Sequence, residues 1–234
     1  KYFLIMQKNI LVIGGNSLIG QEVIKLSNAK GDNVIATSRS TIDLPLENFI
    51  QLDPNEDLSG LDTLPDSIDA LLYCPCSISL KSIQRMDISD IREDFRINVE
   101  GAFNIIKKVL PNLKKDDGAS VVFISSVAAK SGMTFHSSIS ASKAALEGFA
   151  RSLASELAPR VAINCVAPSL TNTPLAEHLL NNEKKLQSSE ARHPLNTIGD
   201  PVKIAKIIYN LFSAKEDWIT GQTISIDGGL SSLR

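Results

Sequence analysis

The chain reads as short, almost unbroken apolar runs separated by stretches in which apolar residues return every three or four positions. The runs lie at residues 9–13, 33–36, 49–52, 70–73, 120–124, 162–166 and 223–226 and are rich in Val, Ile, Leu and Ala. Strands without polar alternation need cover on both faces, which helices on either side of a parallel sheet supply. The pattern predicts an α/β fold, a doubly wound parallel sheet of about seven strands.

Three helices follow from the spacing. Ile91, Phe95, Val99, Ala102, Phe103, Ile106 and Leu110 form one stripe over five turns, ending at Pro111. Ala141, Ala145, Phe149, Leu153 and Leu157 form a second, whose alanines let a neighbouring helix approach closely. Val202, Ala205, Ile208 and Phe212 form a third, opened by the capping pair Asp200 and Pro201. By contrast, residues 39–47 and 54–69 are short and hold Pro45, Pro54 and Pro65. Neither connection has room for a full covering helix, and the second offers a turn or two at residues 58–64. Repeats, low-complexity runs and linkers are not apparent, so one domain is expected over residues 6–234, with the first five residues set aside as processed or added.

Composition narrows the function classes. With 24 Lys+Arg against 26 Asp+Glu, the chain has no basic surplus to suggest nucleic acid, and no apolar run suggests a membrane. The apolar start from Phe3 to Met6 is too short for a signal peptide. Three cysteines, two of them in Cys74-Pro75-Cys76, cannot build a disulfide framework and suit a reducing cytoplasm. A structural zinc takes four ligands, so Cys-Pro-Cys reads as small apolar residues at a strand end, and no metal is expected.

Candidate chemistry begins after the first strand, at Gly14-Gly15-Asn16-Ser17-Leu18-Ile19-Gly20, which runs into a helix at about Gln21. Glycine lets backbone approach a pyrophosphate, and a helix start offers free N–H groups and the positive dipole end. This is the Rossmann-type arrangement. Thr37-Ser38-Arg39-Ser40 closes the second strand without the acidic residue that an NAD ribose prefers. Hydroxyls and Arg39 can hold a 2′-phosphate, which favours NADP(H) over NAD(H). Asp53 either accepts from the adenine amino group or caps the next turn.

From the fifth strand onward the motifs become specific. They are Val121-Val122-Phe123-Ile124-Ser125-Ser126-Val127-Ala128, then Ala141-Ser142-Lys143-Ala144-Ala145-Leu146, then residues 164–168 ending in Pro168, and finally Ile219-Thr220-Gly221 through Asp227-Gly228-Gly229. Their order resembles the short-chain dehydrogenase/reductase family, most closely its 3-oxoacyl-carrier-protein-reductase-like branch, from about residue 9 to 229. The resemblance implies a carbonyl/alcohol oxidoreductase using a nicotinamide cofactor and an Asn, Ser, Tyr, Lys tetrad. It assigns Asn98 to holding a relay water, Ser126 to the substrate oxygen, and Lys143 to the nicotinamide ribose and the phenol's pKa. It further implies that Pro168 and Thr173 meet the nicotinamide, that the partner is a small-molecule substrate, and that the chain forms homodimers or homotetramers.

The resemblance breaks at the tyrosine. The position four before Lys143 and thirteen after Ser126 is Ile139, and the tyrosines, Tyr2, Tyr73 and Tyr209, lie far from it in sequence. Isoleucine has no proton for the alkoxide that hydride transfer leaves. Related enoyl reductases carry their tyrosine where this chain has His136, a weak substitute donor. Leu18 replaces the middle glycine of the loop, Tyr73-Cys74-Pro75-Cys76 replaces an Asn-Asn-Ala-Gly motif, and Ser169 replaces the glycine after Pro168. Two readings stay open: an NADP(H)-linked oxidoreductase with an altered active site, or a non-catalytic nucleotide-binding or partner subunit on the same fold. Residues 170–196 correspond to a mobile lid in family terms.

Overall fold

The computed structural model describes residues 7–44, 46–115 and 118–233. Lys1 to Met6, Pro45, Asp116, Asp117 and Arg234 lie outside it, so the expectations on the apolar start, on Tyr2 and on Pro45 fall outside the described residues. In chain order the elements are β1 (Asn9–Ile13), α1 (Leu18–Ala29), β2 (Asn33–Ser38), β3 (Asn48–Gln51), β4 (Ala70–Tyr73), α2 (Ile88–Phe95), α3 (Gly101–Lys114), β5 (Ala119–Ile124), α4 (Ser137–Leu157), β6 (Val161–Pro168), α5 (Glu177–Leu180), α6 (Glu183–Glu190), α7 (Pro201–Leu211) and β7 (Thr223–Ile226).

The seven strands form one sheet in the order β3-β2-β1-β4-β5-β6-β7, every pair parallel. Successive side chains of each strand feed opposite faces. Leu11, Ile13, Leu71, Tyr73, Val121 and Phe123 pack with α3 and α4, while Ile10, Val12, Ala70, Leu72 and Val122 pack with α1 and α7. This double burial explains the unbroken apolar runs. The strand order reverses between β1 and β4, and ligand crevices of such sheets open at the carboxyl ends of the strands at that switch.

Several boundaries differ from the sequence expectation. Strands β2 and β6 run two residues further than their apolar cores, because ladder hydrogen bonding continues past the last aliphatic side chain. Helix α1 starts at Leu18 rather than near Gln21, since the Ser17 hydroxyl accepts from the Gly20 N–H and caps it there. The long helix does not stop at Pro111: α3 carries that proline inside and continues to Lys114.

The helix faces are also rotated from the expected stripes. Ala102, Ile105, Ile106, Val109 and Leu113 are the buried line of α3, while Phe103 is 49% exposed. On α4 the buried line is Ile139, Leu146, Ala150, Ala154 and Leu157, and Ala141 faces solvent. On α7, Ile204, Ala205, Ile208 and Leu211 are buried, but Val202 is exposed. The trimmed flank is as expected: residues 54–69 supply only a tight turn at Ser59–Thr63, with Leu61 buried in the core. Residues 170–196 are more structured than a bare lid, with a turn at Pro174–Ala176 followed by α5 and α6.

Candidate active site

The carboxyl ends of β1, β4, β5 and β6 open into a cavity of about 640 Å³. One end is lined by Gly14, Asn16, Ser17, Leu18, Ile19, Arg39 and Asp53. The other is lined by Ser126, His136, Ile139, Lys143, Pro168 and Thr173. Thus thirteen positions, spread over about 160 residues of sequence, wall one space. Asn98 and Gly20 stand behind that wall, both buried.

At the loop end, Gly14 has φ +75°, and a Cβ there would meet the Pro75 ring and nitrogen at 3.0 Å. Glycine is required on both counts. Gly15 N–H donates to the Thr37 carbonyl at 2.8 Å, which ties the loop to the end of β2. Gly20 is packed so tightly that a Cβ would sit 2.9 Å from Ser17 Oγ. The N–H groups of Leu18 and Ile19 open the first turn of α1, where a helix has no internal acceptors. Leu18 contributes a half-buried side chain to the wall beside them. Arg39 is exposed at the rim, and its carbonyl accepts from Gln51 Nε2. Asp53 Oδ1 accepts from the Asn55 N–H at 2.9 Å and lies 3.9 Å from Arg96 Nη1, so it caps its own turn. Asn55 also lines the cavity, and its Oδ1 is buried without a partner.

At the other end, Lys143 is 2% exposed, and its ammonium donates to the Ile124 carbonyl at 2.7 Å. Burial pulls its pKa below the usual lysine range, opposed by the neighbouring thiols Cys76, Cys165 and Cys74 and by Asp94. Ile139, one turn earlier on α4, is 4% exposed. Ser126 caps a short turn after β5, its Oγ accepting from the Ala128 N–H. His136 is half-buried with Nδ1 at 2.7 Å from the Thr134 carbonyl. Cys74 is buried and its thiol is pushed up to about 12, mainly by burial, while Cys76 is half-buried on the cavity wall.

Asn98 sits in a widened, π-helical turn at residues Arg96–Glu100, between α2 and α3. Its Nδ2 donates to the Asp94 carbonyl at 2.8 Å and lies 3.3 Å from both Ser77 Oγ and Ser142 Oγ, while Oδ1 has no partner. Tyr73 holds that turn from the sheet, its hydroxyl donating to the Ile97 carbonyl at 2.7 Å. Burial, reinforced by Asp53, raises the Tyr73 phenol far above its ordinary range, so it serves as a neutral donor. Gly101 makes room for it, since a Cβ there would fall 2.3 Å from the Tyr73 hydroxyl.

Sequence reading did not find three polar groups. Asp94 is 1% exposed and accepts hydrogen bonds from Ser77 and Ser138. Glu147 is 3% exposed and accepts from Ser125 Oγ at 2.7 Å. His193 is 1% exposed, with Nε2 at 2.8 Å from Ser169 Oγ and Nδ1 at 2.7 Å from the Ser189 carbonyl. Ser77, Ser125 and Ser169 lie 17, 22 and 24 residues from the groups they bond, and no local motif joins them.

The family model described as Enoyl-(Acyl carrier protein) reductase matches residues 62–231. The 3-oxoacyl-(acyl-carrier-protein) reductase FabG of Buchnera aphidicola is 31% identical over 240 residues, covering 96% of this chain and 97% of that protein. The chain belongs to the short-chain dehydrogenase/reductase family. Within that family, FabG of Thermotoga maritima is 37% identical over 147 residues, or 62% of this chain and 59% of the relative's length. The solved structure described as ElxO with NADP bound superposes with TM-score 0.87 at 27% identity, covering 97% of this chain and all of that one. The short-chain dehydrogenase/reductase fold therefore extends over nearly the whole chain, including the shortened flank.

Proposed function

We propose that the protein is an NADP(H)-linked oxidoreductase acting on a small carbonyl, alcohol or conjugated substrate, with an active site altered at Ile139. The observation that carries this reading is the single cavity shared by the Gly14 to Gly20 loop at one end and by Ser126, Ile139 and Lys143 at the other. A nicotinamide dinucleotide fits the residues present. Gly14 and the start of α1 form a cradle for a diphosphate, and the buried Asn55 Oδ1 is an acceptor suited to the adenine amino group. Arg39 at the rim supplies a cation for a 2′-phosphate. Bound there, the nicotinamide supplies or accepts hydride. Lys143 would give the ribose hydroxyls a donor on leaving the Ile124 carbonyl, and Ser126 would hold the substrate oxygen.

Leu18 does not defeat this fit, because the N–H groups at the helix start do not depend on the side chain. The relatives' descriptions as reductases and the NADP in the ElxO structure support the same reading. Calorimetric titration tests it: NADPH should bind at least about tenfold more tightly than NADH, and absence of binding by either nucleotide would reject it. Assembly into a homodimer or homotetramer is part of the proposal. Phe103, exposed on α3, packs beside half-buried Phe149 of α4 with ring centroids 6.2 Å apart, and together they give two neighbouring helices an apolar outer face. Sedimentation as a monomer would contradict it.

A further inference from the structure

We propose that Ser169 and His193 are the proton relay of this active site, a proposal that rests on the nicotinamide reading above. Ser169 follows Pro168 at the end of β6 and lines the cavity. His193 lies behind it in the turn after α6. The hydrogen bonds fix their direction. A carbonyl only accepts, so the proton facing Ser189 must sit on Nδ1 of His193. In the neutral ring Nε2 is then an acceptor, and the Ser169 hydroxyl donates to it across 2.8 Å. The result is a hydroxyl on the cavity wall backed by a base of fixed tautomer, the arrangement that makes a serine hydroxyl able to exchange a proton.

The pair is also correctly placed. Ile124 of β5 is paired with Val166 of β6; Ser126 follows the first by two residues and Ser169 the second by three, so both come just past the carboxyl ends of adjacent strands. Neighbouring strands lie about 4.8 Å apart. The hydroxyl assigned to the substrate oxygen and the hydroxyl backed by His193 therefore emerge from adjacent strand ends into one cavity. Opposite them, the residue on α4 that should have carried the proton is Ile139. Ser169 in turn occupies a position where the family resemblance leads one to expect glycine.

The proton balance is complete. In alcohol oxidation, the substrate O–H bond breaks toward Ser169 Oγ while the Ser169 O–H bond breaks toward His193 Nε2, and the substrate carbon gives its hydride to the oxidised nicotinamide. A carbonyl, a reduced nicotinamide and an imidazolium at His193 result. In reduction the imidazolium returns its Nε2 proton to Ser169, and Ser169 protonates the oxygen that gains charge as hydride arrives at carbon; water then reprotonates His193. The Asp227 carboxylate after β7 lies near enough to His193 for an attractive charge interaction, and Glu190 and Arg192 flank His193 in sequence.

The test uses the full chain with Ser169→Ala and His193→Gln, measuring NADPH binding by calorimetry and NADPH-dependent reduction of acetoacetyl-coenzyme A and crotonyl-coenzyme A across the pH range in which an imidazole titrates. The proposal expects unchanged NADPH affinity, kcat lowered at least about 10²-fold in both variants, and loss in His193→Gln of the wild-type decline in reduction as pH rises. Ser169→Ala removes only a half-buried hydroxyl, so it carries the test if His193→Gln fails to fold. Wild-type kcat and pH profile in a folded variant would overturn the relay and leave the nicotinamide reading intact. Tight NADPH binding by a wild type that reduces neither thioester would overturn it as well. Failure of the wild type to bind NADPH would instead bring down the nicotinamide reading, and the relay with it.

Discussion

Ile139 stands one helical turn before Lys143 on α4, and both side chains are buried on the wall of the same cavity. A phenol in place of Ile139 would have its hydroxyl beside an ammonium that burial holds below the ordinary lysine range. That neighbourhood favours loss of a phenolic proton, and here it has been left with an apolar side chain.

Ile139→Tyr should therefore raise ketone reduction. General acid catalysis contributes about 10²–10⁴-fold, and an increase of about 10²-fold in kcat with NADPH is expected. A steady-state comparison of the two proteins on a panel of simple ketones and β-ketoacyl thioesters checks it. No gain on any of them would mean that Ser126 and Lys143 are no longer posed for a phenol.

The three thiols should separate by reactivity. Burial pushes Cys74 and Cys165 up to about 12, so at mildly alkaline pH they remain thiols shielded from reagent. Cys76 is half-buried on the cavity wall. Iodoacetamide labelling followed by peptide mass analysis should find Cys76 modified first, and NADPH should protect it. Labelling of Cys74 in the folded protein would contradict the burial described here.

Tyr73 is the strut of the turn that holds Asn98. Tyr73→Phe leaves the half-buried Ile97 without the donor to its carbonyl and should destabilise the fold by about 1 kcal/mol. At about 2–4 °C per kcal/mol, thermal melting resolves that loss. Ile97 lines the cavity, so nucleotide affinity should fall with it.

Much of this was legible in the sequence, for reasons that differ between parts. The sheet was readable because every strand is buried on both faces and shows it as an apolar run. The positions of Ser126, Ile139 and Lys143 were readable because a strand end and one helix fix their spacing. The buried stripes on α3 and α4 are ambiguous in sequence because the chain carries two apolar lines there, one against the sheet and one facing outward through Phe103. The π-helical turn around Asn98 has no periodic signature, since its cause is the distant Tyr73 hydroxyl on β4 and the space left by Gly101. In sequence Ser169 reads only as a missing glycine, because its partner His193 lies 24 residues away beyond two short helices.

The end of the sheet has its own pH signature. Although burial works against it, the Ser231 hydroxyl, the N–H groups of Ser231 and Gly229, and nearby His193 hold the Asp227 carboxyl below the ordinary aspartate range. A depressed folded pKa gives stability that is full above the unfolded value, about 3.9, and is lost as pH falls through the folded one. Asp227→Asn should therefore lower stability by about 1–3 kcal/mol at neutral pH. The gap to wild type should close as the pH drops below the ordinary aspartate value, which urea unfolding at a series of pH values measures.

Turnover without a phenol at residue 139 is the central expectation. The direct measurement is NADPH oxidation by the unmodified chain at saturating NADPH, with ketones, β-ketoacyl thioesters and enoyl thioesters offered in turn. A slow, substrate-dependent loss of NADPH with at least one of them is the predicted result. Tight NADPH binding with no turnover on any would contradict it and mark the chain as a nucleotide-binding member of the family that has given up the reaction.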